Sequence, residues 1–231
     1  MERAVVLLSG GLDSTTSACW ALREGYAVTA LSLDYGQRQR VELERARAVA
    51  QRLGVALREV RVDLGGLAGS ALTDPGVAVP KGRPHEAIGA GVPVTYVPAR
   101  NTLLLSLALG LAEVEGATAL VIGANAVDYS GYPDCRGAFL EAFEALAAVA
   151  TRAAVEDGVR FRVLAPLLEL SKAQIVALAV DLEAPLALTW SCYDPAPAER
   201  ACGQCDACVL RLQGFAAAGV PDPIPYAGGA T

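Results

Sequence analysis

The sequence is poor in lysine and histidine: of its 19 basic residues only Lys81 and Lys172 are lysines, and His85 is the single histidine. The formal net charge is −6 and the pI about 4.9. Such a chain lacks the diffuse positive field on which non-specific nucleic-acid binding depends, so no nucleic-acid partner is expected. It has no uninterrupted apolar run of about 18 residues, which argues against a membrane partner. Nor does it carry a basic-then-apolar leader ending in a cleavage site. A cytoplasmic protein is therefore expected. Cysteines stay reduced there, and clustered ones point to metal or catalysis instead of disulfides. No Gly-Lys-Ser/Thr occurs either, which excludes the commoner phosphate loop.

What is present is the pattern of a globular α/β chain. Hydrophobic residues make up 53% of the 231 and charged residues 19%. Short β-branched runs at residues 3–8, 27–33 and 56–62 alternate with helical spacing at 13–23 and 38–53. That order predicts a doubly wound, mainly parallel sheet. Further strands are expected at 94–97, 119–123 and 160–164, with helices at 102–115, 138–154 and 171–182, the last capped by Ser171. Glycine and proline break the pattern over 64–93, and a stretch that long without periodicity suggests a lid or a mobile segment. His85 lies in it and reads as a surface residue. Cys19 falls mid-helix and reads as core packing.

The opening stretch VVLLSGGLDSTT, residues 5–16, raises the first chemical question. Two glycines between a strand and a helix make a nest of backbone N–H groups, and the helix dipole adds about half a positive charge. Leu8, Ser9, Gly10, Gly11, Leu12, Asp13, Ser14 and Thr15 are the candidates for holding phosphate. Asp13 would repel phosphate unless it caps the loop or meets Mg²⁺. Lys172 falls at the start of a helix, where a cation is unfavourable without an anionic partner.

Cys192, Cys202, Cys205 and Cys208 supply two overlapping C-x2-C units and a fourth thiol ten residues upstream. Four thiolates with no open position describe one structural Zn²⁺ site per chain. An iron–sulfur cluster uses similar spacing, although compact knuckles favour zinc. The stretch GANAVDYSGYPDCR, residues 123–136, gathers acids, tyrosines and an arginine after a strand. Loops of that kind bind more often than they pack. Asp128 and Asp134 can accept from an amidine-like N–H pair, and Tyr129 or Tyr132 can stack on a flat ring. Cys135, beside Arg136, reads either as a nucleophile or as a small loop filler, and the filler is favoured.

Taken in order, SGGLDS, YGQR, YVPARN, DYSGYPDCR, TWSCY and CGQCDAC resemble the 7-cyano-7-deazaguanine synthases, a family of the PP-loop ATP pyrophosphatase superfamily, over residues 9–208. The later APLLELSKAQI resembles that superfamily's Ser-Lys element. The resemblance implies a zinc-containing cytoplasmic homodimer. It also implies an ATP-dependent ligase turning 7-carboxy-7-deazaguanine, a deazapurine carboxylate, and ammonia into the nitrile through an adenylate and an amide. ATP with Mg²⁺ would sit on the opening loop. Lys172, Arg100 and Asp13 would be catalytic, and Asp128, Tyr132, Asp134 and Arg136 would hold the deazapurine. Residues 1–188 would form the ATP and substrate domain, with 189–231 a zinc element and tail packed on it. Two departures stand out: Gln39 replaces the family's histidine, and Ala99 its glycine, so no glycine-only conformation is expected at 99. Two other readings share the loop, a PP-loop tRNA-modifying enzyme (thiolation or lysidine formation) and a non-catalytic ATP-binding module. The first calls for a basic face, and the second leaves the middle loop without a purpose.

Overall fold

β-branched and leucine-rich runs form five short parallel strands, and the periodic segments between them cover both faces. A computed structural model describes residues 1–64, 69–84, 88, 91–126 and 132–229. The strands are β1 (Arg3–Leu7), β2 (Ala27–Asp34), β3 (Ala56–Arg61), β4 (Ala119–Val121) and β5 (Arg162–Leu164), in spatial order β3-β2-β1-β4-β5. The helices are α1 (Leu12–Arg23), α2 (Val41–Leu53), α3 (Arg100–Glu115), α4 (Gly137–Ala150), α5 (Arg152–Asp157), α6 (Lys172–Asp181) and α7 (Asp206–Ala218). Alternation along β1 shows why the strand is apolar throughout. Val5 and Leu7 join Leu105, Leu109 and Phe143 from α3 and α4. Ala4 and Val6 join Ala18, Ala46 and Val49 from α1 and α2 on the other face. A parallel sheet buried on both sides needs such runs. Strand order reverses between β1 and β4, and the crevice beyond their C-terminal ends is where such sheets bind ligands.

Two expectations are corrected. Residues 94–97 are a turn followed by irregular backbone instead of a strand; Pro93 and Pro98 flank them, each without an N–H to give a ladder. The helix expected over 138–154 breaks at Thr151, an extended N-cap whose hydroxyl accepts from the Ala154 N–H at 3.3 Å. Within 64–93, the described residues 69–84 are docked on other elements. Leu72 is buried, the Ala71 N–H donates to the Val94 carbonyl, and Lys81 bridges to Cys205 and pairs with Asp194. His85 lies outside the described residues. Cys19 is buried as expected, and burial pushes its thiol up to about 11, which leaves it unreactive.

Candidate functional site

The loop after β1 is built by its own hydroxyls. The Ser9 N–H donates to Ser14 Oγ at 3.2 Å, the two serine hydroxyls meet at 3.0 Å, and Ser14 Oγ donates to the Gly11 carbonyl. Gly10 has φ +79°, and a Cβ there would fall 2.5 Å from the Ala46 nitrogen and 2.7 Å from the Glu42 carbonyl. A side chain at this position is excluded because α2 presses directly on the loop. The Trp190 N–H donates to the Gly10 carbonyl at 2.8 Å, tying the start of the cysteine-rich tail to the same turn.

Lys172 opens α6, and Ser171 caps that helix in a box with Gln174. Its ammonium pairs with Asp13 Oδ2, which also accepts from Asn125 at 2.9 Å. Asp13 Oδ1 is buried with no hydrogen-bond partner among the described residues. Helix α7, which periodicity did not announce, sets where Lys172 stands. A Cβ on Gly214 would lie 2.9 Å from the Lys172 Cβ, so only glycine lets the two helices approach this closely. Arg211 of the same helix is 1% exposed, with a bidentate pair to Asp222 and bonds to Thr189 and Ser191. That network docks the C-terminal tail.

These elements enclose a cavity of about 260 Å³. Leu8, Ser9, Gly11, Leu12, Asp13, Ser14, Lys172, Arg100 and Tyr132 line it. Thr15 is fully buried behind the loop, and Gly10 is covered by α2. Tyr132 meets Thr95 at 3.2 Å and leans on Tyr96, ring centroids 5.9 Å apart. Asp134 is turned elsewhere: its Oδ2 accepts from the Asn101 N–H at 2.9 Å at the first turn of α3. It supplies a cap and a negative charge that Ala99 cannot, and so holds the turn that carries Arg100. Arg136 is exposed, and Asp128 and Tyr129 lie outside the described residues. Cys135 sits buried in the cavity wall and accepts from Asn101 Nδ2 at 3.1 Å.

Ala99 overturns its expectation. It adopts φ +53°, ψ +25°, the left-handed region that glycine occupies freely, and immediately precedes α3. Sequence reasoning also passed over Glu42 and Gln39 as cavity residues. Burial pushes the Glu42 carboxyl up to about 7, against the pull of Arg100 and of the Gln39 amide. Read as one charge among many on an amphipathic helix, Glu42 gave no signal. Its place at the start of α2, two residues after YGQRQR ends, is the clue the sequence offers.

The four cysteines converge as their spacing suggested. All are buried, with sulfurs within 4.8 Å of one another. The Cys202 N–H points at Cys192 Sγ, and the Gln204 and Cys205 N–H groups point at Cys202 Sγ. Sulfurs that collect N–H donors in this way are set up to carry thiolate charge, so the cluster fits a metal ion.

Comparison with known proteins places the chain in a family. Residues 3–219 match the family model described as "Queuosine biosynthesis protein QueC". A 7-cyano-7-deazaguanine synthase of Anaeromyxobacter dehalogenans is 61% identical over 98% of this chain and 96% of its own length. The Myxococcus xanthus protein of that name is 56% identical, covering 98% of each. Among solved structures, an NMN synthetase from Francisella tularensis shares the fold with a TM-score of 0.50 at 20% identity, over 95% of this chain and 78% of its own. With the match running from β1 through α7 at identities this high, the chain belongs to the QueC family of 7-cyano-7-deazaguanine synthases.

Proposed function

We propose that the protein is an ATP-dependent C–N ligase that converts 7-carboxy-7-deazaguanine and ammonia into 7-cyano-7-deazaguanine in queuosine biosynthesis. One observation carries this reading: in a chain of that family, the SGGLDS loop and Lys172 share a cavity with Arg100 and Tyr132. A carboxylate is a poor electrophile and hydroxide a poor leaving group. Attack of the carboxylate on the α-phosphorus of ATP removes both obstacles. Pyrophosphate leaves on the loop, ammonia displaces AMP to give the amide, and a second ATP activates the amide oxygen for loss as AMP. The protein contributes mainly position and charge.

In this scheme the stretch from Leu8 to Thr15 forms the phosphate cradle, with Ser9, Gly11 and Ser14 at its surface. Lys172 leaves Asp13 for the phosphates when ATP enters. The orphaned Asp13 Oδ1 fits Mg²⁺ arriving with the nucleotide, and that ion would neutralise phosphate charge. Arg100 faces the substrate carboxylate or the phosphates, and Tyr132 stacks on the deazapurine. Asp134 acts from behind, by holding the turn that carries Arg100. Zn²⁺ on Cys192, Cys202, Cys205 and Cys208 would be structural, closed to chemistry. A cytoplasmic homodimer without a nucleic-acid partner completes the proposal. Among the described residues, no helix is long and apolar enough to cross a membrane.

The test is chromatographic analysis of purified protein with ATP·Mg²⁺, ammonium and 7-carboxy-7-deazaguanine. Nitrile with two AMP per product is expected. ADP as the nucleotide product would overturn the adenylate, and no deazaguanine-dependent ATP consumption would overturn the activity.

A further inference from the structure

One part of the cavity wall has no task in that scheme. Gln39 is 2% exposed, its Nε2 donates to Glu42 Oε1 at 3.5 Å, and both residues line the cavity. Gln39 Oε1 is buried and has no hydrogen-bond partner among the described residues. A buried acceptor left unpaired costs about 1–3 kcal/mol, so a donor from a bound molecule is the natural completion. The Glu42 carboxylate offers further lone pairs beside it. Two acceptors side by side suit a ligand that brings only N–H groups.

Position narrows the choice. Glu42 stands in the first turn of α2, the segment whose backbone presses on Gly10, so it lies at the phosphate end of the cavity. Arg100 and Tyr35 are the charged and titratable groups that face it from α3 and from the residue just after β2. The flat ring that lines the cavity, Tyr132, leans on Tyr96 and belongs to a different segment. We propose that Gln39 and Glu42 form the subsite for ammonia, with Glu42 accepting the proton that the nitrogen sheds. This rests on the ligase reading above. At amide formation, nitrogen bonds to the adenylated carbonyl carbon, and the C–O bond to AMP breaks with its electron pair leaving on AMP. One N–H proton passes to Glu42. In the second turnover the adenylated amide nitrogen gives up a proton to the same carboxylate as its C–O bond breaks, and the remaining proton goes to solvent. A carboxyl pushed up to about 7 is partly ionised at neutral pH, as a group that takes and releases protons must be.

Two assays separate this subsite from the reaction as a whole. Carboxylate-dependent exchange of labelled pyrophosphate into ATP, run without ammonium, reads adenylation alone. Nitrile formation with saturating ammonium reads nitrogen transfer. In Glu42→Gln, exchange is expected within about threefold of wild type while nitrile formation falls about 10²–10³-fold, and Glu42→Asp recovers part of it. Gln39→Leu is expected to raise the KM for ammonium at least tenfold with the ATP KM unchanged. Should Glu42→Gln fail to fold, the Gln39→Leu result decides. Equal loss of exchange and nitrile, or a raised KM for the deazapurine in the exchange assay, would overturn the subsite in favour of a positioning or purine-edge role. Unchanged nitrile formation and unchanged ammonium KM would also overturn it. Wild-type protein that shows neither exchange nor nitrile would instead bring down the ligase reading.

Discussion

At Ala99 a single methyl group stands against the backbone. An L-residue in the left-handed region costs about 1–2 kcal/mol, and glycine would lose part of that gain to its freer unfolded chain. Ala99→Gly should therefore stabilise the protein by roughly 0.5–1 kcal/mol, raising Tm by about 1–4 °C in a calorimetric scan. An unchanged or lowered Tm would mean that the local backbone relaxes once the methyl is gone. The reading that alanine excludes this conformation failed for an energetic reason. Its cost is small beside what fixes the flanks: Pro98, the bond from the Ala99 N–H to the Tyr96 hydroxyl at 3.1 Å, and Asp134 holding the next turn. Local preference was legible in the sequence, but the long-range hold of Asp134 on the next turn was not. The same limit hid the purpose of Asp134. Its residue type announced a hydrogen-bond acceptor, and only the fold shows that a helix N-terminus takes it.

Strand and helix alternation through β3 was readable because β1 is apolar on both faces while α2 buries a single stripe, Leu43, Ala46, Val49 and Ala50. Helix α7 escaped because aspartate and cysteine in its first turn and Gly214 in its third obscure the period, and because Arg211 is buried where an arginine should be exposed. Yet α7 joins the cysteine cluster to the end of the cavity where Lys172 meets Asp13. Cys205 is its N-cap, Cys208 lies in its first turn, and Gly214 sets the seat of Lys172. Removing the metal should therefore do more than loosen a tail. Four buried thiolates without an ion repel one another or must be protonated. Chelator-treated protein, verified metal-free by elemental analysis, should melt several degrees lower and lose most of its pyrophosphate exchange, with Zn²⁺ restoring both. A metal-free protein with wild-type Tm and exchange would uncouple α7 from the site. The cysteine spacing predicted the cluster; its connection to Lys172 depended on a helix packing that no spacing encodes.

For the molecule as a whole, a cavity equipped for chemistry has a stability cost that depends on pH. The unfolded chain loses the Glu42 proton near 4.5, whereas the folded protein keeps it to about 7. Between those values the folded state binds more protons than the unfolded one, so this residue's contribution to stability falls as pH rises. Arg100 and the Gln39 amide draw the carboxyl the other way, and burial outweighs them. Glu42→Gln has no such proton to exchange. Its Tm relative to wild type should be near zero difference at pH 4.5, move in the variant's favour through pH 7, and level off above it. A difference that is flat with pH, or that favours wild type as pH rises, would place Glu42 among structural ion pairs. A widening gap together with the expected loss of nitrile formation would mark a carboxylate kept where it destabilises the fold because the reaction needs it there.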